Sequence, residues 1–190
     1  MQQANTEPYK QLLSELAHRT RQPWKHLFVT TNWDTLLEQE IEKLRLNELP
    51  YWLNDSFVFH YNGSIEMSSN EFRTPFLLET DLPSQRSKTV EANIAFNRMM
   101  WQRHFIVVGL SFECPTDRFL LDELGSVRND LPIGESYWII LNPNKEALDA
   151  VVNRIKAVLP AAEITAVDDK FDEWLKDGMP ELVDWDVISG

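Results

Sequence analysis

Short apolar, β-branched runs alternate with stretches of helical period along most of this chain, and that order admits few folds. Residues 26–31, 58–61, 105–110, 137–141 and 164–167 read as strands. Between them, Leu37, Ile41 and Leu44, then Phe119, Leu120 and Leu124, then Leu148, Val151, Val152, Ile155 and Val158 recur at helical spacing. Strands joined through helices pair in parallel, because the crossover is too long for a hairpin. The expected fold is therefore α/β, a Rossmann-like parallel sheet flanked by helices. The run 105–110 is continuously apolar and reads as the best buried strand. A chain of 190 residues, 43% hydrophobic and with 7 Trp, is long enough for one domain, 1–190, with a sizeable core.

The punctuation between these elements is also readable. Thr6-Glu7-Pro8 starts a helix carrying Tyr9, Leu12, Leu13 and Leu16 to about residue 20, and Pro23 ends it. Ser87 to Trp101 reads as an amphipathic helix with Val90, Ile94 and Trp101 as core candidates, and Met99-Met100-Trp101 as packing. Thr116 is the expected cap of the helix after Pro115, with Asp117, Asp122 and Glu123 on its solvated face. Asn142-Pro143-Asn144 ends a strand and leads into a helix. Phe171, Trp174 and Leu175 form a short helix that Gly178 stops. Residues 66–86 have no clear period and suit a short lobe or lid.

Charge and cysteine content narrow the function classes. Eighteen basic against 30 acidic residues give −12, a field that repels phosphate backbones, so nucleic acid is not an expected partner. No apolar run approaches the ~20 residues of a membrane span, and no signal peptide opens the chain. One Cys cannot form an internal disulfide and suits a reducing, cytoplasmic setting. It also cannot supply a four-Cys zinc site, and neither zinc nor another metal is expected. Cys114 has no basic neighbour in sequence and reads as an unreactive small residue.

The stretch Phe28 to Glu38 brings Asn32 and Asp34 from a strand to a helix start, with Thr35 and Glu38 in capping-box register. Polar groups at such a corner either cap the helix or meet a ligand outside the strand ends. Thr30-Thr31-Asn32-Trp33-Asp34-Thr35-Leu36-Leu37-Glu38 resembles the Thr-Thr-Asn-Tyr-Asp-Thr-Leu-(Leu/Ile)-Glu motif of bacterial sirtuin-like domains. Val58-Phe59-His60-Tyr61-Asn62-Gly63-Ser64-Ile65 resembles that family's Lys-Leu-His-Gly-Ser-Ile segment. Ile106-Val107-Val108-Gly109-Leu110-Ser111-Phe112 resembles its Ile-Val-Val-Ile-Gly-Tyr-Ser-Phe segment. The three stretches stand in the family's order.

The resemblance implies a sirtuin-like sheet and cleavage of the nicotinamide–ribose bond of NAD, as in bacterial sirtuin-like NAD hydrolases, many of them antiphage effectors. That cleavage passes through an oxocarbenium-like centre. By the resemblance Asn32 would position water or the nicotinamide ribose, Asp34 would hold the nicotinamide amide, and Asn62 occupies the place of the catalytic base. An Asn cannot accept a proton as a base near neutral pH. His60 substitutes only if the strand shifts by two residues, which keeps the side-chain face; otherwise it is a strand histidine. Thr31, Gly63, Gly109, Ser111 and Asn142 would contact the cofactor, Asn142 near the adenine ribose unless it caps the following helix.

Two departures bear on activity. The family's opening strand, Gly-rich turn and helix, which cradle the pyrophosphate, have no counterpart here: no Gly precedes Gly63 and no Gly-x-Gly occurs. The resemblance therefore implies an N-terminally truncated sheet, completed by direct pairing of strands 26–31 and 105–110 or by an N-terminal segment or partner protein. Without a four-Cys zinc module, acetyl-lysine removal is not expected. NAD hydrolysis and a non-catalytic module for nucleotide sensing or partner assembly both remain open.

Overall fold

Thr6 starts the first helix in the computed structural model, its carbonyl accepting from the Tyr9 and Lys10 amides at 3.1 and 3.2 Å. The structure describes residues 6–19, 27–30, 36–45, 57–60, 99, 101–128 and 135–182. The chain is mixed α/β and divides into two compact units, Met1–Ala95 and Phe96–Gly190.

In the first unit, α1 (Glu7–Arg19) is followed by β1 (Leu27–Thr30), α2 (Leu36–Arg45) and β2 (Phe57–His60). β1 and β2 pair in parallel, Leu27 with Phe57 through Thr30 with His60, so α2 is a crossover helix. The helical spacing read from the sequence is what builds this core. Leu13 and Ile41 are buried, with Phe28, Leu37 and Val58 packed against them. α2 begins directly after Thr35, where the capping-box register places its start.

In the second unit, β3 (His104–Val108), α3 (Pro115–Arg128), β4 (Tyr137–Leu141), α4 (Lys145–Val158) and β5 (Glu163–Val167) form two consecutive crossovers. The sheet is parallel, in the order β3-β4-β5. α5 (Phe171–Lys176) and a 3-10 turn (Pro180–Leu182) follow. Strand order that runs one way puts successive crossover helices on one face. α3 and α4 do pack together, so closely that a Cβ on Gly125 would lie 1.9 Å from Val158 Cγ1. α5 ends as the sequence predicts. Gly178 takes φ +78°, its amide donates to Leu175 O at 3.0 Å, and the Met179 amide donates to Trp174 O at 3.1 Å.

Burial revises the ranking of strands. β4, not β3, is the strand covered on both faces: Trp138, Ile139, Ile140 and Leu141 are all buried. β3 is half-buried, and Val108 at its end is 41% exposed. Both runs are equally apolar, but β4 lies between two strands and β3 is the outer strand of this described sheet. The aromatic registers Phe105–Trp138 and His104–Tyr137 stack across the β3–β4 pair at 4.2 and 5.4 Å between ring centroids. Below them Arg128 lies over the Phe105 ring and donates to Gln102 O at 2.5 Å. Its burial, with the Arg103 charge beside it, lowers its affinity for a proton.

Two further expectations need correction. Trp101, expected in the core, is 65% exposed, whereas Met99 is buried. Asp117, expected on the solvated face of α3, is buried, while Asp122 on the same helix is exposed. A carboxylate in a helix's first turn lies against the positive end of the helix dipole, which favours it there.

Candidate functional site

The strand ends of the three-stranded sheet are set by the residues that follow them. Gly109 leaves β3 in the left-handed region, at φ +66°. Among the described residues no atom lies within 4 Å of where its Cβ would be, so the backbone conformation, not crowding, requires glycine. The Gly109 amide donates to Leu141 O at 3.3 Å and the Asn142 amide to Val167 O at 3.2 Å. These bonds extend the ladder by one rung beyond the paired ends Val108, Leu141 and Val167. Gly109 and Asn142 therefore sit side by side at the carboxyl ends of neighbouring strands, the end of an open α/β sheet at which ligands bind where the strand order reverses, though β3-β4-β5 itself runs one way.

The β3–α3 loop turns sharply after Gly109. Phe112 has φ +53° and is 2% exposed, an unusual state for a bulky side chain. Just before it, Ser111 Oγ accepts from the Glu113 amide at 3.2 Å. A hydroxyl that accepts one bond keeps its own proton to donate elsewhere. Arg154, from α4, donates from Nη1 to the Ser111 carbonyl at 2.6 Å and from Nη2 to Glu113 Oε1 at 3.2 Å. Sequence reading passed over Arg154 because a lone cation beside an apolar helical stripe looks like any solvated helix face.

The caps are displaced from their expected positions. Cys114, not Thr116, caps α3: its thiol sulfur accepts from the Asp117 amide at 3.4 Å and its carbonyl from the Arg118 amide at 3.0 Å. Pro115 holds the first helical position, which suits its fixed φ and missing N–H, so the cap falls on the residue before it. That signal was present in the sequence. Likewise Asn144 caps α4, its Oδ1 accepting from the Ala147 amide at 3.1 Å. Asn142 Oδ1 accepts from the Asn144 amide at 2.9 Å, forming the turn that leads into the helix.

Gly109, Ser111 and Asn142 are thus placed by two adjacent strand ends and the loop after β3. Thr31, Asn32, Asp34, Asn62 and Gly63 lie outside the described residues, as does the expected lobe at 66–86. His60 ends β2 in register with Thr30; of it, only the backbone is described. Among the described residues no group of three or more His, Cys, Asp or Glu could hold a metal ion, and no helix is long and apolar enough to cross a membrane. No family model matches the chain, and no curated protein or solved structure matches it.

Proposed function

We propose that this chain is a sirtuin-like, NAD-binding domain whose lineage cleaves the nicotinamide–ribose bond. The observation that carries the reading is the position of Gly109 and Asn142, side by side at neighbouring parallel strand ends, with Ser111 in the adjoining loop. All three are positions that the family resemblance assigns to the adenosine side of NAD. In the first unit Thr30 pairs with His60, and the motif residues Asn32 and Asn62 lie outside the described residues. A ligand held by Ser111 would accept a hydrogen bond from its hydroxyl.

One observation favours a second reading, a non-catalytic module that senses a nucleotide or assembles with a partner. Asn62 stands in the place of the catalytic base and cannot take up a proton. The absence of any Gly-x-Gly turn in these residues also removes the family's main source of backbone donors for a pyrophosphate. Binding is therefore expected to be weak or absent, with no tight site.

Saturation-transfer NMR with NAD and ADP-ribose tests the reading. Transfer to the adenine protons, weakened in Ser111→Ala and Asn142→Ala, is the expected result. No transfer at millimolar ligand would reject NAD binding, and a sub-micromolar constant would overturn the expectation drawn from the missing turn. Release of free nicotinamide on prolonged incubation separates the hydrolase from the non-catalytic module.

A further inference from the structure

We propose that Arg154 is a positioning residue for the β3–α3 loop, its guanidinium gripping the chain on both sides of Phe112 and thereby fixing how Ser111 is presented. One nitrogen bonds the carbonyl of Ser111, immediately before the left-handed Phe112; the other bonds the carboxylate of Glu113, immediately after it. The residue between the two contacts is the one whose backbone is least favoured in isolation. A strained backbone persists only where its surroundings over-determine it. Here the surroundings are the buried Phe112 ring on one side and the Arg154 fork on the other.

The two contacts are not equal. The Glu113 side chain is 65% exposed and that of Arg154 31%, and ion pairs so open to solvent contribute little. The bond to the Ser111 carbonyl is short, charge-assisted and part-buried, and it dominates the grip. A lysine carries the charge but not the planar fork, so it cannot span both residues. The grip ties α4 to a loop 43 residues away in sequence, which makes loop conformation depend on the packing of α3 against α4. Any role of Ser111 toward a nucleotide rests on the reading proposed above; the grip itself does not.

Amide hydrogen exchange on the full chain tests this, comparing wild type with Arg154→Lys, Arg154→Ala and Glu113→Gln. The reporter is the Glu113 amide, whose donation to Ser111 Oγ closes the turn. Both Arg154 variants are expected to speed its exchange about tenfold, with the β4 amides of Ile139 and Ile140 unchanged. Glu113→Gln should change it by less than about threefold, since the carbonyl contact remains. A second signature belongs to the wild type alone: Nη protons of Arg154 held by two acceptors should rotate slowly and give separate signals. Unchanged exchange at Glu113, full rescue by Arg154→Lys, or equal acceleration in β4 would each overturn the proposal. If Arg154→Ala does not fold, Arg154→Lys and the Nη signals decide. NAD saturation transfer, run in parallel, reports separately on the nucleotide reading, because a wild type that binds no NAD still gives the exchange result.

Discussion

Substitution of Gly125 by alanine opposes two effects of similar size, and the structure says which one prevails. In an isolated helix the exchange would stabilise by about 1 kcal/mol, because glycine has more conformational freedom to lose. In α3 the added Cβ would lie 1.9 Å from Val158 Cγ1, where carbon atoms normally approach to about 3.5–4.0 Å. Turning Val158 about χ1 moves Cγ1 away but leaves the Val158 carbonyl oxygen at 3.1 Å and its Cβ at 3.3 Å. Valine in a helix also has one strongly preferred rotamer. Relief must therefore come from separating α3 and α4, and overpacking of this kind costs about 1–3 kcal/mol.

The net expectation for Gly125→Ala is a loss of about 1 kcal/mol, the overpacking cost less the gain in propensity. For a chain of 190 residues that lowers the melting temperature by about 2–4 °C. Differential scanning calorimetry reads it directly. A double-mutant cycle with Val158→Ala isolates the Cγ1 contact: with Cγ1 removed, only the milder contacts to the residue-158 carbonyl oxygen and Cβ remain, and Gly125→Ala should cost less than it does in wild type, a coupling of about 1 kcal/mol. An unchanged or raised melting temperature for Gly125→Ala alone, or strict additivity in the cycle, would refute the close packing of α3 on α4.

Two further outcomes are expected. Cys114→Ser should be at least as stable as wild type and Cys114→Ala less stable by about 0.5–1 kcal/mol, since an oxygen caps better than sulfur and a methyl not at all; equal melting of Ser and Ala variants would deny Cys114 the capping role. Burial alone would raise the Glu40 carboxyl, but hydrogen bonds from Lys43 and Thr6 and the charges of Lys43 and Lys10 hold it below its ordinary 4.5. A group depressed in the folded state stabilises above its unfolded pKa and loses that contribution as pH falls through its folded value. Wild type should therefore lose stability below about pH 4.5 faster than Glu40→Gln does, and parallel acid titrations of the two, followed by circular dichroism, would contradict this.

The parts of the fold that were legible in the sequence are those whose neighbours lie close along the chain. The α4 stripe of Leu148, Val151 and Ile155 is buried as its period requires. β4 occupies the residues read as a strand, and Gly178 stops α5. What periodicity could not supply was the identity of a strand's neighbours. The runs in β3 and β4 have the same apolar character, but only β4 is flanked on both sides in the described sheet, so only β4 is fully covered. Cap positions depend on where backbone dihedrals turn helical, and Pro115 set that point two residues earlier than a preference for Thr116 suggested. The strand-end positions of Gly109 and Asn142 were legible from the apolar runs before them, whereas Ser111 was singled out by the family resemblance. Arg154 was not, because its contacts join residues 43 and 41 positions apart in sequence.

Phe112 offers a test in which the order of two variants, rather than the size of either effect, is decisive. Its ring is 2% exposed, and removing a buried phenylalanine side chain costs about 3–5 kcal/mol. Its backbone lies at φ +53°, which costs an L-residue about 1–2 kcal/mol and glycine almost nothing. Ring burial is the larger quantity, so the strained conformation is retained and both Phe112→Ala and Phe112→Gly should be destabilised. The two variants lose the same ring but differ at the backbone. At an ordinary position with negative φ, alanine is the more stable by about 0.5–1 kcal/mol. At a left-handed position the order reverses, because alanine keeps the clash of its Cβ and glycine has none. Phe112→Gly should therefore unfold at higher urea concentration than Phe112→Ala, by about 1 kcal/mol. If alanine proves the more stable, Phe112 is not left-handed in solution. The turn that places Ser111 between Gly109 and the Arg154 fork would then have a different shape.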